Sequence, residues 1–96
     1  MYVLVTYDVA TGEEGGAKRL RHVAKICSQY GQRVQLSVFE CLVVPAMYEK
    51  MKHELAAVID KDKDSLRFYN LGKNWHRRVE HVGVEASYDP EGLLLL

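Results

Sequence analysis

The chain has 96 residues, 48% of them hydrophobic, which suits one domain with one core and excludes a disordered chain. Its 13 basic and 13 acidic residues cancel, so total charge by itself points away from nucleic acid. No window approaches the roughly 20 apolar residues of a membrane span, and "MYVLVTYD" has neither a basic leader nor a small-residue cleavage site; a cytoplasmic, unprocessed protein with no membrane partner is expected.

Residues 2–9, "YVLVTYDV", are β-branched and aromatic and predict a strand. Apolar side chains point both ways, which marks it as central. It runs into a lone carboxylate, Asp8, and then the glycine-rich loop "ATGEEGG". From Ala17 to about Tyr30, Ala17, Leu20, Val23, Ala24 and Cys27 recur at spacings of three and four, the stripe of an amphipathic helix. Lys18, Arg21, His22 and Lys25 fall on the other side, and Gly31 is expected to stop the helix. In "QRVQLSVFECLVV", residues 32–44, Val34, Leu36 and Val38 alternate with Arg33, Gln35 and Ser37 before the phase blurs. A bulge, a sharp bend or two short strands each explain that shift, and no Asn-Gly or Asp-Gly turn chooses among them.

Pro45 opens a second helix to about Asp60, with Tyr48, Met51, Leu55 and Val58 on one face. "DKDKD" reads as a solvated turn, "SLRFYNLG" (65–72) as a strand and "VEHVGVE" (79–85) as a further short strand. The segment "SYDPEGLLLL" breaks at Pro90, and its leucines are expected to dock on protein. Residues 1–85 are thus read as the domain and 86–96 as a C-terminal tail.

If the middle region supplies two strands, the order is βαββαβ, an α+β ferredoxin-like plait with an extra C-terminal strand. Its helices cover one face of an antiparallel sheet. The chain has too few elements to cover the other, so a homodimer through the sheet face is expected, the last strand adding to the partner's sheet.

Charge is segregated along this plan. Between Glu14 and Glu40 there is no acid, while Lys18, Arg19, Arg21, Lys25 and Arg33 lie there. "KNWHRR" adds Lys73, Arg77 and Arg78, whereas acids gather at Asp60, Asp62 and Asp64 and near the C-terminus. A neutral molecule arranged this way can still present a basic face to nucleic acid. Trp75, within the second basic cluster, suits either base stacking or an interface anchor. Cys27 and Cys41 lack metal-type spacing and sit among apolar residues, as buried free thiols do. There is no P-loop, G-x-S-x-G, H-E-x-x-H, paired C-x-x-C or RNA-recognition signature. His22, His53, His76 and His81 show no base-and-orienter pattern.

Asp8 remains as a turn-former, a partner for the arginines or a metal ligand. A two-fold axis near the strand end would bring it against its own copy. Two carboxylates about 5 Å apart repel by roughly 3 kcal/mol at an effective dielectric of about 20. A shared proton, a basic neighbour or a cation would relieve this, and Mg²⁺ suits one or two carboxylates with water and phosphate completing its shell.

"YVLVTYDV", "KRLRHVAKICSQYGQRVQLSVFEC" and "DSLRFYNLG" together resemble the CRISPR-associated protein 2 family, nearly to Glu85. The specific combination is a first-strand Tyr-Asp followed by G-x-R-V-Q-x-S-V-F-E. The resemblance implies a ferredoxin-like homodimer and a Mg²⁺-dependent endonuclease, with Mn²⁺ as the alternative ion and RNA and double-stranded DNA as substrates. It also implies assembly with the CRISPR integrase in spacer acquisition. The family's catalytic metal aspartate falls on Asp8, next to Tyr7. Its basic positions fall on Arg19, Arg21 and Arg33, and the Ser and Phe of its S-V-F stretch on Ser37 and Phe39. Arg19, Arg21, Arg33, Ser37 and Lys18 are the nucleic-acid-binding candidates, with Tyr7, Phe39, Arg77 and Arg78 as further ones, although Phe39 fits the core better than a base-stacking platform. Three readings follow: a metal-dependent nuclease of CRISPR adaptation, a non-catalytic DNA-binding adaptor for the integrase, and a toxin-like ribonuclease.

Overall fold

The computed structural model describes residues 1–83. The elements are β1 (Tyr2–Asp8), α1 (Gly16–Tyr30), β2 (Gly31–Gln35), β3 (Val38–Leu42), α2 (Pro45–Val58), β4 (Ser65–Asn70) and α3 (Trp75–Arg78). The strands form one four-stranded sheet in the order β2-β3-β1-β4. Every pairing is antiparallel. This is the ferredoxin-like plait, with β1 central as its apolar sequence predicts.

Period-two alternation sorts β1 between two faces. Val3, Val5 and Tyr7 join Phe39 and Cys41 in the core under the helices, with Val23, Ile26 and Cys27 from α1 and Met51 and Leu55 from α2. Each fully buried aliphatic or aromatic side chain contributes about 1.5–3 kcal/mol, so this layer dominates the fold's stability. The α1 stripe runs slightly off the predicted line: Ile26 is buried, whereas Ala17 is exposed. The helix presses on the preceding loop through Gly16 instead, where a Cβ would strike the Ala10 backbone.

The middle region resolves into two strands with a bulge. β2 and β3 are joined through Leu36 and Ser37, and their register shifts between Arg33 and Gln35. Gly31 does not end α1 through a left-handed turn, as a helix-stopping glycine would; its backbone is extended (φ −162°) and already belongs to β2. Close approach explains the residue: a Cβ there would collide with the Glu40 carbonyl and Cys41 Sγ.

On the other face lie Leu4, Thr6 and Asp8 of β1, flanked by Val38, Glu40 and Leu42 of β3 and by Ser65, Arg67 and Tyr69 of β4. This face is not wholly bare. The short helix α3, absent from the sequence reading, lays Trp75 flat on Tyr2, ring centroids 4.0 Å apart and 9° from parallel. Leu42 and Tyr69 remain 69% and 42% exposed, so among the described residues α3 covers one corner of the face and the rest is open.

Residues 79–83 form no strand, unlike the predicted strand over 79–85. A strand exists only where an edge accepts its ladder, and the expected edge belonged to a second copy. The last two residues of that strand, the boundary after residue 85 and the tail 86–96 lie outside the described residues. Among the described residues no helix is long and apolar enough to cross a membrane.

Candidate nucleic-acid interface

Asp8 is the last residue of β1, exposed, on the open face. Its cross-strand partner in β4 is Ser65. On the other side the Tyr7 amide donates to the Ser37 carbonyl at 3.1 Å, which brings the β2–β3 turn to the same end of the sheet. Ser37 therefore lies in the turn at Asp8's end of the sheet. Arg67, which that reading passed over, opposes Thr6 on this face and donates to the Tyr69 hydroxyl at 3.1 Å. Its signal was the alternation of β4, which sends Ser65, Arg67 and Tyr69 to one side.

Tyr7, one residue earlier, points the opposite way. It stacks near Phe39 (centroids 6.2 Å apart) and donates its hydroxyl to the Leu36 carbonyl at 3.2 Å. Burial raises its pKa, with the Arg33 guanidinium pulling the other way. Arg33 opposes Phe39 across the β2–β3 ladder and lies over its ring, 5.2 Å from the centroid. Tyr7, Arg33 and Phe39 thus form one cluster on the helix side, separated from Asp8 by the sheet itself.

Arg19 is engaged elsewhere. Its Nε donates to Asp64 Oδ2 at 2.8 Å and its Nη2 to Asp64 Oδ1 at 3.3 Å. The Asp64 side chain has no exposed surface and also accepts the Ala10 and Asp60 amides at 3.0 and 2.8 Å. The "DKDKD" turn is therefore solvated except at its last residue. The Arg19 guanidinium, against the cost of burial, holds the Asp64 carboxyl at about 2, helped by those amides. Arg19 in this state fixes the β1–α1 loop rather than extending into solvent.

Lys18, Arg21 and Lys25 are exposed on α1. Arg21, Lys25 and Ser28 line a pocket of about 350 Å³ with Ala24, Arg33 and Phe39. Arg77 and Arg78 are exposed on α3, where Arg78 Nη1 donates to the Leu71 carbonyl at 2.9 Å. Trp75 stacks within its own chain on Tyr2.

The donor set at Asp8 fits a hard cation in one respect. It offers an exposed carboxylate with serine positions around it, and Mg²⁺ commonly takes one or two carboxylates and leaves its other positions to water and phosphate. Among the described residues no three His, Cys, Asp or Glu side chains gather as a metal cluster, so one chain offers a partial site.

An antiparallel four-stranded plait with a cationic first helix places the chain among ferredoxin-like α+β proteins. Within that class, residues 1–79 match the sequence pattern of the family described as CRISPR associated protein Cas2, and the chain belongs to that family. It is 58% identical over 96 residues to a protein of Nitratidesulfovibrio vulgaris named CRISPR-associated endoribonuclease Cas2, covering 100% of this chain and 94% of that one. It is 55% identical to the CRISPR-associated endonuclease Cas2 of Halalkalibacterium halodurans, over 99% of each. The crystal structure of Streptococcus pyogenes Cas2 superposes with a TM-score of 0.77 at 64% identity, covering 86% of this chain and 100% of that one.

Proposed function

We propose that the chain is a Mg²⁺-dependent endonuclease of the CRISPR adaptation system, cleaving phosphodiester bonds of RNA or double-stranded DNA as a homodimer that works with the CRISPR integrase. The observation that carries this reading is the position of Asp8: exposed, at the end of the central strand, on the sheet face the helices leave uncovered. A second copy packed on that face would set two such carboxylates near one another, with Ser65 and the Ser37 turn beside them. Relatives named as endonuclease and endoribonuclease support a nuclease role.

In this reading Asp8 from each copy holds the ion. Bound there, the ion supplies charge stabilisation to a scissile phosphate. Arg67 adds positive charge on the same face, and Lys18 offers a contact for the neighbouring backbone. Arg19 acts through Asp64, by fixing the loop that follows Asp8.

The test incubates the purified protein with RNA and duplex DNA, with Mg²⁺ or chelator, beside Asp8→Ala and Asp8→Asn. Cleavage that needs the ion and falls by about 100-fold or more in both variants, with duplex binding retained, supports the reading. Cleavage that survives in both variants overturns it.

The exposed cations Lys18, Arg21 and Lys25 favour a second reading, the non-catalytic adaptor. It expects duplex binding without cleavage, weakened when Lys18 and Arg21 become Ala, with a shallower salt dependence as phosphate contacts are lost.

A further inference from the structure

The helix side of the sheet holds a second arrangement, unconnected with Asp8. The pocket of about 350 Å³ lies between the flank of α1 and β2. Arg21, Lys25 and Ser28 are spaced i, i+4 and i+7, so they share one helical flank and overhang it together. Its floor is Phe39, 2% exposed, with Arg33 laid over the ring. Among the described residues the buried Arg33 Nε has no hydrogen-bond partner, although buried donors are almost always satisfied.

Charge and shape narrow the ligand. Arg21, Lys25 and Arg33 have no carboxylate partner among the described residues. Three cationic residues lining one pocket suit a dianion better than a single charge. A phosphomonoester carries nearly two negative charges at neutral pH, whereas each backbone phosphodiester carries one. The size is at the lower end for small-molecule sites, which matches a single nucleotide. Arg33 is half-buried over Phe39 at the edge of the pocket, a depth that suits a terminal phosphate better than the rigid backbone of a duplex. Ala24, Phe39 and the alkyl stems of Arg21 and Lys25 provide an apolar wall for a base or sugar.

We propose that this pocket binds the phosphomonoester of a single nucleotide, as a free nucleoside 5′-monophosphate or as the 5′-phosphorylated end of a strand. The site lies on the opposite side of the sheet from Asp8, so pairing through the open face leaves it accessible. Its occupancy does not depend on whether the protein cleaves nucleic acid.

The test is calorimetric titration of the full chain, in chelator, with adenosine 5′-monophosphate, adenosine and inorganic phosphate. The expected result is saturable binding of the nucleotide, one per chain, with adenosine and inorganic phosphate each at least about tenfold weaker. Arg21→Ala and Lys25→Ala, both at exposed helix positions, weaken the nucleotide by about fivefold or more with an unchanged circular dichroism spectrum. The same pair of measurements with a short single strand carrying a 5′-phosphate or a 5′-hydroxyl separates the two sources. A strand that gains affinity from its phosphate identifies the strand end, and one that gains none identifies the free nucleotide. Adenosine or inorganic phosphate binding as tightly as the nucleotide overturns the proposal. So does nucleotide affinity that is unchanged in both variants, or no saturable binding. Loss of nuclease activity in Asp8→Ala affects none of these outcomes.

Discussion

Arg19 and Asp64, 45 positions apart in sequence, close a knot that ties the loop after β1 to the turn before β4. The carboxylate accepts from the guanidinium and from two backbone amides, so a buried charge has its partners supplied. Replacing Asp64 by Asn keeps the shape but turns part of an acceptor into a donor facing Arg19 and the amides. We expect a loss of about 3 kcal/mol, read as a lower urea midpoint with the same slope. The pH dependence has a definite sign. The folded carboxyl titrates at about 2 against an ordinary 3.8, so between these values the unfolded chain binds the extra proton. This contribution is fully present above the ordinary value and lost as pH falls towards about 2. The Asn variant should lack that part of the acid-destabilisation slope.

Asp64 also shows where sequence patterning stops. Alternation and helical spacing identify the plait, because β1, α1 and α2 each bury one coherent set of side chains. They place Asp8 on a strand end and both cysteines in the core. A buried acid inside "DKDKD" has no periodic signal; its burial depends on Arg19 arriving from another element. The same limit applies to Arg33 and Asp8. Both are marked as functional by their residue type and motif, yet β-strand parity sends them to opposite faces once the β2–β3 bulge is placed. The bulge itself lies in the stretch where the sequence phase blurs.

Trp75 and Tyr2 make a second link that composition hides. The stack closes one corner of the open face, and Tyr2 donates its hydroxyl to Glu40 beneath it. Aromatic pairs are worth about 0.5–1.5 kcal/mol beyond the area they bury, so Trp75→Ala should cost about 1–2 kcal/mol. Since Trp75 is the single tryptophan, its emission reports the contact directly. Tyr2→Ala should shift that emission to longer wavelength in the folded protein. An unshifted spectrum would mean that the stack is absent in solution.

Cys27 and Cys41 behave as small hydrophobes in this packing. Both are fully buried and free, and burial raises Cys27 to about 12 and Cys41 to about 11. At neutral pH the reactive thiolate is therefore scarce as well as inaccessible. A disulfide-exchange reagent should label neither residue in the native protein within minutes, and both promptly in concentrated guanidinium. Fast native labelling would show that the sheet–α1 layer opens far more readily than its packing implies.

Asp8 differs from Asp64 in each of these respects, and stability measurements can separate its role from that of a fold-holding acid. It is exposed at a strand end, so Asp8→Ala should change metal-free stability by less than about 0.5 kcal/mol. An ion that binds only the folded chain stabilises it by RT ln(1 + [L]/Kd), about 1.4 kcal/mol at ten times Kd. Wild-type protein should therefore gain melting temperature with added Mg²⁺, and gain more at higher protein concentration if two chains share the ion. Asp8→Ala should lose both effects. If the two proteins respond equally to Mg²⁺, the ion sits elsewhere; if Asp8→Ala unfolds more readily without any ion, the carboxylate serves the turn rather than a metal.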